Sequence, residues 1–162
     1  MTWFQPEGVE LQYVSRRLIV VRLVALALLL LPALVGTSLL AALVAGDTSI
    51  LWLLPIGVLL LGGFLSYVIV RQVTAHAWAE REDDLVVVRG RLWRRVTVIP
   101  YGRMQYVEVQ SGPLGRFLGI ASVQLHTASP GTDASIAGVP TAEAARLRDR
   151  LTERGQARLA GL

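Results

Sequence analysis

Residues 18–70 read LIVVRLVALALLLLPALVGTSLLAALVAGDTSILWLLPIGVLLLGGFLSYVIV, and the rest of the chain is organised around them. No charged residue lies between Arg22 and Asp47, and none between Asp47 and Arg71. Each run exceeds the roughly 20 apolar residues that a helix needs to cross a bilayer core of about 30 Å. At about 1.5 Å per residue, each is long enough to span with some tilt. The pattern predicts a transmembrane hairpin over 18–70, with helices near 20–45 and 50–70 joined by a loop at 46–49. A hairpin buried in a soluble domain would need a partner surface apolar all round, and the remaining residues are too polar to supply one. A cleaved signal peptide ending near Ala45 would carry a much shorter apolar core, of about 7–15 residues, with no second span directly behind it.

Charge placement orients the hairpin. Arg16, Arg17 and Arg22 flank its start, Arg71 flanks its end, and the loop carries only Asp47. The positive-inside rule then puts both termini in the cytoplasm and the loop outside. No acidic residue or histidine falls within either span, which argues against a proton relay, coupled transport or an intramembrane ion site. The segment before the hairpin, 1–17, holds Trp3, Phe4 and Tyr13 among polar residues. It reads either as an interfacial lead-in or as a disordered tail.

The chain has 162 residues, 53% of them hydrophobic, which leaves room for one compact domain over 71–155 and a tail over 156–162. There is no cysteine, so disulfides, thiolate metal sites and a cysteine nucleophile are excluded. The formal charge of +4 comes from arginine alone, because the chain has no lysine.

After Arg71 the periodicity changes from helical to alternating. Val73–Ala79 is a strand candidate, followed by the charged turn Glu80-Arg81-Glu82-Asp83-Asp84. Leu85–Arg89 and Leu92–Ile99, separated by Gly90, form a hairpin pattern. In the next strand, Met104–Val109, alternation puts Met104, Tyr106 and Glu108 on one face and Gln105, Val107 and Val109 on the other. Residues 111–119 read as a glycine-rich connector. In Ile120–Thr127 the apolar face holds Ala121, Val123, Leu125 and Thr127, and Ser135–Val139 makes a last short strand. A helix from Thr141 to Arg154 follows, with Ala144, Leu147 and Leu151 in one apolar stripe. A curved antiparallel sheet leaves an open end that such a helix can plug.

Three stretches carry a resemblance. Ile99-Pro100-Tyr101-Gly102-Arg103-Met104-Gln105-Tyr106-Val107 is followed by Gly112-Pro113-Leu114-Gly115-Arg116-Phe117-Leu118-Gly119-Ile120-Ala121, and then by Val123-Gln124-Leu125-His126-Thr127-Ala128. This resembles the pleckstrin-homology-like (bPH2) domain of the bacterial YdbS family, a membrane-flanked domain of unknown function. The family pattern runs approximately P-x-x-R-I-Q-x-V, G-P-L-x-R-x-x-G-L-A, then V-x-V-x-T-A-G. Met104, Ile120 and Ser129 are mild departures from it. The resemblance implies an α+β membrane protein: a two-helix transmembrane hairpin, then a PH-like split antiparallel barrel closed by a C-terminal helix. It further implies the bacterial inner membrane, and it makes a longer membrane protein with related PH-like domains a plausible partner.

Few residues suggest chemistry. Arg89, Arg91, Arg94 and Arg95 cluster around Gly90. They read as a basic lip for anionic lipid headgroups or an acidic partner, or equally as a solvated hairpin whose charges blunt an exposed edge. The motif residues Pro100, Arg103, Gln105, Gly112, Pro113, Arg116 and Gly119 read as structural. Arg103 and Arg116 would hold turn carbonyls or pair with a carboxylate such as Glu108, and the same geometry would suit a bound phosphate or carboxylate. His76 and His126 lie on strand candidates with no Asp, Glu or Cys at ligand spacing. No catalytic, metal or cofactor signature is present, and the expectation is a non-enzyme without cofactor. The basic residues are dispersed and lack interleaved aromatics, so no nucleic acid is expected. The expected role is a membrane-anchored binding or scaffolding module, with the lipid bilayer as its first partner. The alternative is an accessory subunit of an envelope transport or biosynthetic complex, in which the hairpin would make the specific contacts.

Overall fold

The computed structural model describes residues 11–44, 49–90, 94–128 and 133–159. Arg91, Leu92, Trp93, Ser129, the loop at 46–48, the aromatics Trp3 and Phe4 and the last three residues lie outside the described set. The chain divides into two compact units, one of residues 19–71 and the other of residues 1–18 with 72–162.

The first unit holds most of α1 (Arg17–Val44), a 3-10 turn (Ser49–Trp52) and most of α2 (Leu53–Val73). Pro32 sits inside α1, where freed backbone groups are tolerated if neighbours re-satisfy them, and Pro55 falls in the first turn of α2, where the missing N–H has no helical partner to lose. Gly62 lets α2 approach α1: a Cβ there would lie 3.1 Å from Leu30 Cδ1. Thr37 and Ser66 turn their hydroxyls back on the carbonyls of Ala33 and Gly62, so neither offers a polar group to its surroundings. Both helices are long and apolar enough to cross a membrane.

The second unit is two antiparallel sheets and a helix. β1 (Gln12–Tyr13), β2 (Ala77–Glu80), β3 (Asp84–Arg89) and β4 (Arg95–Pro100) pair in that order. β5 (Met104–Gln110), β6 (Ile120–Thr127) and β7 (Ala134–Pro140) make the second sheet, and a one-turn helix, α3 (Pro113–Phe117), lies between β5 and β6. α4 (Thr141–Leu159) closes the unit. Ala144, Leu147 and Leu151 are fully buried from α4 against Tyr101, Ile99, Val123 and Leu125 in one core.

Several expectations change here. The strand expected over Val73–Ala79 starts only at Ala77, because α2 continues to Val73 and a turn follows. His76 therefore sits in that turn and not on a strand. The lead-in supplies β1, whose Gln12 and Tyr13 pair with Trp78 and Ala77, a contribution too short to show as periodicity. The connector contains α3, which Pro113 starts at the first helical position. α4 continues past Arg154 into the expected tail, because Arg154 and Arg158 dock on the β2–β3 turn.

β5 also departs from strict alternation. Its register shifts between Met104 and Tyr106, so Met104 joins the core on the side of Val107 and Val109. Such a bulge inserts one residue and reverses the phase behind it. Gln105 occupies the bulge, exposed.

Gly138 shows how the N-terminal residues bind the domain. Its φ is +78°, and a Cβ there would come within 2.9 Å of Leu18 Cβ. Ser15 donates its backbone N–H to the Gly138 carbonyl at 2.9 Å. Gly138→Ala is expected to lower stability by about 1–3 kcal/mol from backbone strain alone. A thermal melt in detergent that matches the parent would show that residue 138 does not hold a positive φ against Leu18.

Candidate functional site

β3 and β4 put the arginines at one end of their sheet. Arg89 and Arg95 stand directly opposite each other in the antiparallel register, and Arg94 precedes β4. Like charges placed so are destabilising. Burial, and then Arg95 beside it, holds the Arg89 guanidinium below its usual pKa. The Arg89 Nη2 atom is buried and has no hydrogen-bond partner among the described residues. Beside this pair is a shallow cavity of about 230 Å³ lined by Tyr13, Thr74, Ala75, Val88, Gly90 and Arg94. Thr74 and Ala75 directly follow α2, so the arginine end of the sheet is the end where the chain enters from the helix.

The opposite end is acidic. β3 separates the Gly90 tip from the Arg81–Asp84 turn by about 20 Å at the usual rise per residue. Glu80 there accepts from Arg150 Nη1 at 3.1 Å, and Asp83 pairs with Arg158. Arg154 Nη1 donates to the Arg81 carbonyl and to the Tyr101 hydroxyl, each at 2.9 Å. Burial pushes the Tyr101 hydroxyl pKa up, and the Arg154 hydrogen bond opposes it. Arg150, Arg154 and Arg158 recur every fourth residue along one face of α4. These arginines are held by partners within the domain, whereas the Arg89–Arg95 pair faces its own charge.

The motif arginines do not hold turns. Arg103 and Arg116 are exposed, and among the described residues neither bonds a carbonyl or a carboxylate through its side chain. Arg17 does that work from outside the motif, with Nη1 donating to the Leu118 carbonyl at 2.8 Å. Pro100 ends β4 and leads into a 3-10 turn that buries Tyr101. Gly112 precedes α3 in extended conformation, and Gly119 leaves it at a φ of +67°, a region glycine alone enters readily. The Gly119 carbonyl accepts from the Thr141 N–H at 3.1 Å, tying this connector to the start of α4.

His126 is less isolated than its sequence neighbours suggest. Its Nδ1 lies 3.0 Å from Asp133 Oδ2, its Nε2 lies 3.9 Å from Glu108 Oε2, and its ring stacks on Tyr106 at 4.4 Å between centroids. The Thr127 backbone N–H bonds Asp133 Oδ1 at 2.9 Å, and this bond is the main reason that the Asp133 pKa is lowered. Glu108 reaches His126 across a strand pair and Asp133 lies seven residues further along the chain, so no local spacing announces either.

With this geometry in view, comparison with protein families gives a match to the bacterial PH domain over residues 17–155. The chain belongs to the bacterial PH-domain family. The match begins at the first residue of α1 and runs through both apolar helices and both sheets into α4, so this bacterial PH domain includes the helix pair in its family unit. Comparison with curated proteins and with solved structures gave no match.

Proposed function

We propose that this bacterial PH domain is anchored in the inner membrane by α1 and α2, and that its arginine hairpin binds anionic lipid headgroups at the cytoplasmic face as a binding or scaffolding module without enzymatic activity. Anchoring is supported by the apolar surface the two helices expose, with Leu29 at 72% and Leu43 at 76%. Each Å² of such surface withdrawn from water is worth about 25 cal/mol. The placement of Arg16, Arg17, Arg22 and Arg71 against the lone Asp47 supports the cytoplasmic orientation.

Arg89 carries the headgroup reading. A half-buried guanidinium with a nitrogen unsatisfied among the described residues, opposite a second arginine, is a costly arrangement for a merely solvated hairpin. A phosphate oxygen entering beside it would supply the acceptor and offset the repulsion. Arg94, next to Arg95, lines a cavity with Thr74 and Ala75, which directly follow α2, so this end of the hairpin lies near the point where α2 ends and headgroups would be available.

Two measurements test this. The chain lacks cysteine, so Ser49→Cys and Gln156→Cys each give one thiol. On intact cells an impermeant thiol reagent should label the first and not the second; the reverse would put the domain outside. In nanodiscs, amide hydrogen exchange of the full chain over 88–96 should be slower with phosphatidylglycerol than with phosphatidylcholine. Equal exchange in the two lipids would remove the headgroup reading.

A further inference from the structure

Among the described residues of the two-sheet unit, Phe117 is the most exposed large apolar side chain, at 88%. Nothing in the headgroup reading uses it. It ends α3, which is pinned rather than loose: Ser111 Oγ donates to the Ile120 carbonyl at 2.8 Å, and the Arg116 N–H closes onto the Gly112 carbonyl at 2.9 Å. The next residue, Leu118, receives the Arg17 guanidinium through its carbonyl at 2.8 Å. Arg17 is the first residue of α1 and stands directly before the apolar run. The tip of α3 thus lies at the point where the chain leaves the domain for the first helix.

We infer that Phe117 is an interfacial anchor, inserted into the headgroup–acyl boundary of the same leaflet and flanked by Arg116 and Arg17 at phosphate level. This rests on the membrane-anchored reading above. Isolated exposed apolar residues are ordinary on protein surfaces. Here the surroundings single out one occupant. No acidic residue occurs from Val109 to Thr132, while Arg116 directly precedes the ring and the Arg17 guanidinium sits on the Leu118 carbonyl that follows it. An aromatic ring beside cations, next to the start of an apolar span, matches the chemistry of the bilayer interface. An acidic protein surface would pair with the arginines equally well but would leave the ring without an apolar medium.

Spin labels at Phe117→Cys, Leu29→Cys and Gln156→Cys, one at a time, test this on the full chain. The chain is reconstituted in vesicles of phosphatidylethanolamine and phosphatidylglycerol. Collision with oxygen and with a charged nickel reagent reports depth. Leu29 should lie deep, Gln156 in water, and Phe117 about 5–10 Å into the boundary. If Leu29 is deep and Phe117 is as water-accessible as Gln156, the anchor is overturned while the spans stand. If Leu29 is itself in water, the membrane-anchored reading falls, and the anchor falls with it.

Discussion

Leu151→Ala should lower the unfolding free energy of the two-sheet unit by about 2–5 kcal/mol, the usual range for deleting a fully buried leucine. Leu151 has no exposed surface, and neither do Leu147 and Ala144, which share its stripe on α4. That stripe lies in one core with Tyr101, Ile99, Val123 and Leu125, drawn from both sheets. A cavity opened there is bordered by rigid strands, so collapse can recover little of the lost contact. Arg148→Ala, exposed and paired only with its neighbour Asp149, should stay within about 0.5 kcal/mol. Denaturant titration followed by near-UV signals would compare the two. Equal tolerance at Leu151 and Arg148 would mean that α4 does not close the core.

The second large effect is electrostatic. Arg94→Glu with Arg95→Glu should abolish the lipid-dependent protection of the hairpin in phosphatidylglycerol nanodiscs. Four arginines at about 1 kcal/mol each amount to roughly millimolar binding alone, which the proposed tethering would make effective. The double reversal leaves the hairpin with no net charge, so the attraction goes altogether. Protection in the parent should weaken as salt shortens the Debye length from about 10 Å at 0.1 M to about 3 Å at 1 M. Arg146→Glu with Arg148→Glu is the matched control. Arg150 is unsuitable for that purpose because its bond to Glu80 helps dock α4. Protection that survives the reversal at Arg94 and Arg95 would move the binding surface elsewhere.

Excising the domain at Arg71 would damage it. The cut removes β1 from the edge of β2 and removes Leu18 from Gly138. Experiments on lipid contact therefore belong to the full chain.

The sequence by itself determined what depends on near neighbours in the chain. Two charge-free runs longer than a bilayer core define two long apolar helices, whatever follows them. Alternation in Ile120–Thr127 and the stripe of Ala144, Leu147 and Leu151 identified core faces, because strand and helix periods are local geometry. Only the tertiary structure decided the rest. A two-residue β1 has no period of its own, and the bulge at Gln105 moved Met104 into the core against the alternation. Which arginines are satisfied was also invisible in the sequence. Arg154 and Arg158 find acceptors some 70 residues away, Arg17 finds one beyond the helices, and Arg89 meets Arg95 across a strand pair. Hydrogen bonds and charge repulsion act over a few ångströms of space, and sequence separation carries no record of that distance.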